Sequence, residues 1–262
     1  MSEILVEKEG YVTTLTLNVP ERMNTISGPM LDTLSTSLIE ANADPETRAI
    51  VLTGKGRAFC AGLDLQAARD GSGIGGQAQR MPANLDLRTA PPTVLHALDT
   101  PTICALNGGA AGYGMDLALG CDIRIAAESS KLAAAFTKRG VLPESGGTWL
   151  LPRLVGWAKA SEIIFTGRTL RADDCLELGL VNKVVADELL QKETRAMADE
   201  IAANAPLAVQ SSKRMMRMGL SENFDDHVHH VFLQLLPLFA SGDFKEGMAS
   251  FLEKRQPDFK GR

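Results

Sequence analysis

The chain of 262 residues is short of the materials that several kinds of protein require. Its four cysteines, Cys60, Cys104, Cys121 and Cys175, are scattered and include no C-x-x-C pair. Thiolate metal-site spacing is therefore absent, and a disulfide framework is out of place in so long and apolar a chain. Reduced thiols in a cytoplasmic protein are the expectation. Two tryptophans and two tyrosines give little on which nucleic-acid bases could stack. Basic charge is short as well. Lys and Arg number 27 against 32 Asp and Glu, and the formal charge of -5 attracts neither nucleic acid nor an anionic membrane. The longest apolar runs, such as "VFLQLLPLFA", are too short or too interrupted to span a bilayer. The opening "MSEILVEKEG" has neither the basic nor the apolar segment of a secretory signal, so none is expected.

What is present is an ordinary globular mixture, 45% hydrophobic and 23% charged, enough for one large domain or one with a small appendage. Residues 4–8 and 11–18 alternate with period two around Glu9-Gly10, which predicts a hairpin. Met30, Leu31, Leu34, Leu38 and Ile39 have helical spacing over 29–43. "AIVLTG", "PTICALNG" and "CDIRIAAE" read as buried strands, and "PPTVLHALDT" as a short helix started by proline. After Gly147 the pattern is mostly helical, in segments 149–154, 158–166, 172–178, 186–203, 205–218, 221–239 and 244–254. The expected class is α/β with a helical C-terminal part.

Three motifs lack the context their chemistry needs. "GSGIGG" at 71–76 matches G-x-G-x-x-G but follows no strand and opens no helix, so it predicts a loop or lid over substrate. "HVHH" at 227–230 has no accompanying carboxylate or cysteine spacing to close a metal sphere, and no metal is expected. Ser145 lies outside any G-x-S-x-G elbow.

Two glycine-rich corners carry more. "AIVLTG…AFCAGLDL" and "TICALNGGAAGYGMDL" each follow a buried strand. An amide at the tip of such a turn, or in the first turn of a helix, points outward unpaired, and two converging amides make an oxyanion hole. The competing reading is a pair of ordinary strand-to-helix turns. A similar choice arises at "GVLPESGGT", where Glu144 is either a solvated turn carboxylate or an acid/base group on a stiff loop.

The strings "RAFCAGLDL", "NGGAAGYGMDLALGCDIRIAA", "GVLPESGGTWLLPRLVG", "FTGRTLRADDCLELGLVNKVV" and "EGMASFLEKRQPDFKG" occur in order over nearly the whole chain. Together they resemble the enoyl-CoA hydratase/isomerase (crotonase) superfamily. "GGTWLLPR" is most similar to its ring-1,2-epoxyphenylacetyl-CoA isomerase-like members. The resemblance implies a spiral of ββα repeats over 1–204 carrying an acyl-CoA site, and a helical region over 205–262 that builds a homotrimer or hexamer. It implies that the amides of Leu63 and Tyr113 hold the thioester oxygen. It places Asp116 at the first hydratase glutamate and Phe136 at the second, where no proton chemistry is possible. Glu144 then takes the place of the single acid/base group of some family isomerases. Asp116 is left with three roles: proton transfer, holding water, or pairing with a helix N-terminus. Facing Glu144 across the acyl chain, it would repel a second ionised carboxylate and raise a pKa.

By the same resemblance Arg22, Ala61 and Leu63 line the coenzyme A path, while Phe251 and Lys254 reach in from a neighbouring subunit. Pocket walls are expected from 66–84 and the C-terminal helices. Coenzyme A is part of the substrate, and no separate cofactor is implied. Double-bond isomerisation by Glu144 is favoured. Hydration by Asp116 and Glu144 together is the alternative, and a non-catalytic acyl-CoA or partner-binding protein is the alternative of another class.

Overall fold

A computed structural model describes residues 2–64 and 90–262. The segments 66–84 and 71–76 singled out above lie outside the described residues. β1 (Ile4–Glu9) and β2 (Val12–Leu17) form the hairpin, with Glu9 opposite Val12. α1 (Gly28–Ala43) follows, started by Ser27, whose Oγ accepts the Met30 N–H at 3.2 Å.

The middle of the chain then repeats one move: a buried strand, a tight corner, and a three-residue strand in a second sheet. β3 (Ala49–Gly54) turns into β4 (Ala58–Cys60). After α2 (Pro91–Ala97), β5 (Thr102–Leu106) turns into β6 (Gly109–Ala111), and α3 (Tyr113–Gly120) follows. β7 (Ile123–Ala127) turns into β8 (Lys131–Ala133). The long strands, with the hairpin and β10 (Lys183–Val185), give a six-stranded sheet ordered β1-β2-β3-β5-β7-β10. The short ones, with β9 (Thr169–Arg171), give a four-stranded sheet ordered β4-β6-β8-β9. Pairing is parallel apart from β1–β2 and β8–β9.

The long strands are buried on both faces, which is why they read as unbroken apolar runs. Ile50, Leu52, Cys104 and Leu106 face the larger core, with Leu15, Leu34 of α1 and Leu117 of α3. Val51, Ile103, Ala105, Ile125 and Val185 face the other way, against Leu190 and Ala198 of a later helix.

α4 (Gly147–Thr166) is broken at Gly156, whose φ of 77° and ψ of 163° are not helical. This matches the separate segments read at 149–154 and 158–166. α5 (Ala172–Glu177) and α6 (Leu190–Ala202) complete the wrapped part, and α6 supplies the two residues just named. The boundary drawn at 204/205 falls between α6 and α7 (Pro206–Gly219), followed by α8 (Phe224–Ala240) and α9 (Gly242–Glu253). α7 is tied to the core where Arg217 donates to Leu98 O at 3.0 Å and pairs with Asp99 at 3.1 Å. α8 buries none of its residues, leaving Phe232, Leu233, Leu236 and Phe239 exposed. Its His227 and His230 Nδ1 atoms stand 2.9 and 3.0 Å from the Glu222 carboxylate. Among the described residues no helix is long and apolar enough to cross a membrane.

Candidate active site

Past β4 the chain runs beside Ile26. The Ile26 N–H donates to Gly62 O at 2.8 Å, and the Asp64 N–H donates to Ile26 O at 3.1 Å. Both bonds of this parallel bridge flank Leu63, so its own N–H and carbonyl face the opposite side. At the second corner Gly112 caps α3, whose first helical bond is Asp116 N–H to Gly112 O at 3.1 Å. The Tyr113 amide is thus one of the helix's unpaired first-turn donors. Among the described residues neither the Leu63 nor the Tyr113 N–H has a main-chain acceptor.

Gly62 lets the corners meet. Its φ is +102°, and a Cβ there would stand 2.9 Å from Ala111 O and 3.9 Å from Tyr113 N. A side chain would strain the turn and push the second corner away.

A cavity of about 100 Å³ opens at this junction, lined by Leu63, Gly112, Tyr113, Phe136, Arg139 and Glu144 among others. Glu144 also borders a larger groove of about 450 Å³ between α2 and α4, with Pro92, Thr93, His96, Trp149 and Leu150. It therefore stands on the wall common to both spaces. In the groove His96 meets Trp149 edge-on at 5.1 Å, and Arg153 stacks on the indole at 3.9 Å.

Asp116 lies elsewhere. Its side chain is buried in a crevice with Met115, Leu119, Phe136, Pro143, Gly147, Leu151 and Ile164, which leaves no room for water. Asp116 Oδ2 accepts from Ser145 Oγ and from the Gly147 N–H, each at 3.1 Å. The two carboxylates do not line a common space, and Phe136 lines both the cavity and the crevice.

Burial dominates the electrostatics. It pushes the Asp116 carboxyl up to about 7, with bonds from Gly147 and Ser145 opposing and the Glu144 charge adding a smaller upward push. Burial also raises the Glu144 carboxyl above its ordinary value, against its own main-chain hydrogen bond. The Tyr113 phenol is raised, first by burial and then by Cys60, Glu144 and Asp116. Cys60 is pushed up to about 12 by burial, which leaves it an inert thiol.

The other expected binding residues are dispersed. Arg22 donates to Asp64 and to Glu3, each at 2.8 Å, so it braces the strand beside Leu63 with both ends of its guanidinium engaged. Ala61 lines the cavity. Phe251 is exposed on α9, and Lys254 caps that helix. Neither lines the cavity or the groove. Sequence reasoning gave no role to Arg139 or His96, whose only signals are their residue types. Trp149 was legible only as part of "GGTWLLPR".

The enoyl-CoA hydratase/isomerase family model matches residues 7–262. The 1,2-epoxyphenylacetyl-CoA isomerase of Escherichia coli is 38% identical over 267 residues, with 100% of each chain covered. The short-chain-enoyl-CoA hydratase of Clostridium acetobutylicum is 34% identical, covering 100% of this chain and 99% of the relative. The crystal structure of an enoyl-CoA hydratase from Bacillus anthracis matches with a TM-score of 0.91 at 34% identity, covering 100% of both chains. The chain belongs to the enoyl-CoA hydratase/isomerase family and has its crotonase fold.

Proposed function

We propose that this enzyme shifts a carbon–carbon double bond within an acyl-CoA thioester, with Glu144 as the one acid/base group. The thioester oxygen sits against the Leu63 and Tyr113 amides. The Glu144 carboxylate removes a proton from the carbon next to the thioester of a 3-enoyl chain. The electron pair flows into the carbonyl, giving a dienolate whose oxygen charge the two amides stabilise. Glu144 then returns the same proton two carbons further on, and the double bond comes to rest beside the thioester. Atoms and charge balance without a redox cofactor, and coenzyme A is carried in as part of the substrate.

The supporting observation is that Glu144, and not Asp116, borders the cavity that Leu63 and Tyr113 also line. A base must reach its proton to within hydrogen-bonding distance, directly or through one water. A carboxyl lifted above its usual range is a stronger base, and once protonated it is a weaker acid that holds the proton for return to the dienolate. The groove on the other side of Glu144 would take the remainder of the acyl chain. The exposed apolar side chains of α8 and α9 are consistent with a homotrimer, in which Phe251 and Lys254 would approach a neighbour's coenzyme A.

Hydratases among the relatives keep water addition as the competing reading. That chemistry needs a second carboxylate at a water, and the Asp116 crevice has no room for one. The deciding experiment incubates the enzyme in 18O-labelled water with a 3-enoyl-CoA and, separately, with a 2-enoyl-CoA. Isomerisation predicts 2-enoyl product without label and, for Glu144→Gln, a loss of about 100- to 10,000-fold in proton transfer with acyl-CoA binding retained. Labelled 3-hydroxyacyl product from the 2-enoyl-CoA with no turnover of the 3-enoyl-CoA, or a Glu144→Gln variant with wild-type turnover, would overturn the assignment.

A further inference from the structure

Building on the base role proposed for Glu144, we infer that Asp116 is a positioning residue, holding the Ser145–Gly147 turn so that the Glu144 carboxylate stays in the cavity. Asp116 Oδ2 takes two hydrogen bonds from that turn, from Ser145 Oγ and from Gly147 N–H, each at 3.1 Å. The approach is built into the sequence, since a Cβ at Gly147 would stand 2.2 Å from Asp116 Oδ1. Any side chain there would drive the turn off its acceptor. Ser145 is itself buried, so its hydroxyl gives up solvent for this bond.

The arrangement links the two halves of the chemistry. Tyr113 and Asp116 lie one turn apart on α3. One end of that turn presents the amide proposed to hold the thioester oxygen, and the other grips the residues directly after Glu144. The spacing between oxyanion donor and base is therefore set through a single short helix. A displacement of the base by about 1 Å can cost on the order of a hundredfold in rate. Direct proton transfer by Asp116 is opposed by its position, with Phe136, Pro143 and Leu151 around it and no space for water. The titratable neighbours acting on this region are Glu144 and Tyr113, and the remaining walls are apolar.

The test uses the full-length enzyme in its native assembly with a straight-chain 3-enoyl-CoA, comparing Ser145→Ala, Asp116→Asn, Asp116→Ala and Glu144→Gln. A holding role predicts that Ser145→Ala and Asp116→Asn each lose roughly ten- to a hundredfold in kcat while KM moves less than about twofold. Asp116→Ala should lose more than Asp116→Asn, because the amide oxygen of Asn still accepts from the turn. Hydrogen exchange at the Gly147 amide should quicken in Asp116→Ala, and less in Asp116→Asn, a readout independent of turnover. The inference is overturned if Ser145→Ala runs at the wild-type rate while Asp116→Asn falls as far as Glu144→Gln, since Asp116 would then carry the proton itself. It is equally overturned if Gly147 exchange is unchanged in Asp116→Ala. Wild-type turnover by Glu144→Gln would instead defeat the proposed base role, and Gly147 exchange would still report on the hold.

Discussion

Two regions meet at Phe136: an open cavity bordered by Glu144 and a water-free crevice containing Asp116. Both hold a carboxyl group raised by burial. Their uses diverge because access differs. A group that moves protons must reach the reacting carbon, whereas a buried acceptor must be satisfied by donors that never leave it. Asp116 has its donors fixed by the fold. Residue type alone would have made the two equivalent; the crevice makes one a brace.

The largest expected effect that sharpens this contrast is on stability. The Asp116 carboxyl rises from an ordinary 3.8 to about 7 in the fold. The protonated form is thus favoured in the folded state, so the contribution is fully present below about pH 4 and is lost as pH rises through about 7. A rise of about three units corresponds to a ceiling of roughly 4 kcal/mol. Asp116→Asn does not titrate. Calorimetry from pH 4 to 8 should therefore show the wild-type Tm falling relative to this variant, by several degrees in a chain of this size. The variant would gain stability relative to the wild type toward pH 8 and be the slower enzyme, the trade expected where a buried charge serves function. A wild-type minus variant difference that stays flat over this range would break the comparison.

Next in size is the cavity's own corner. Gly62→Ala introduces a methyl group 2.9 Å from Ala111 O at a backbone angle L-residues rarely adopt. The Leu63 and Tyr113 amides must then separate. Loss of one such donor typically costs about a hundred- to a thousandfold in kcat, and that is the expected fall here. Steady-state kinetics with unchanged acyl-CoA affinity would locate the loss in the transition state. Normal kcat in a folded variant would show that the spacing of these amides does not matter.

The frame of the molecule was legible because its elements carry local signals. The hairpin alternates with period two, α1 has helical spacing behind Ser27, and β3, β5 and β7 are apolar runs of strand length. Even the break of α4 had a trace, as the gap between the segments read at 149–154 and 158–166, where Gly156 stands. The second sheet was not. β4, β6, β8 and β9 have three residues each, too few to show a period, and they exist only by pairing with one another.

The site divides in the same way. Leu63, Tyr113 and Glu144 stand at glycine-marked corners that sequence reading could find, and they do border one cavity. The bond from Ser145 to Asp116 spans 29 positions and has no local trace. Its one hint is a carboxylate in the otherwise apolar "YGMDLALG", since a charge in a buried helix needs partners. The expectation that Asp116 and Glu144 face each other across the acyl chain assumed that both open onto one space. The crevice around Asp116 removes that premise.

The smallest effect concerns the groove beyond Glu144. Trp149 lies on its wall, held edge-on by His96 and stacked under Arg153. Burial, then Arg217 and Lys213, lowers the proton affinity of His96, which favours a neutral imidazole against the indole. Trp149→Leu keeps the wall apolar but removes the aromatic surface, a change worth about 0.5–1.5 kcal/mol for ring contacts. If the distal acyl chain runs here, kcat/KM for an eight-carbon 3-enoyl-CoA should fall about two- to tenfold relative to a four-carbon one in this variant. A four-carbon chain ends near Glu144 and leaves the indole untouched, so the ratio isolates the groove from the chemistry. An unchanged ratio would mean that the chain leaves the cavity by another path, and Glu144 would then border the groove without dividing substrate between the two spaces.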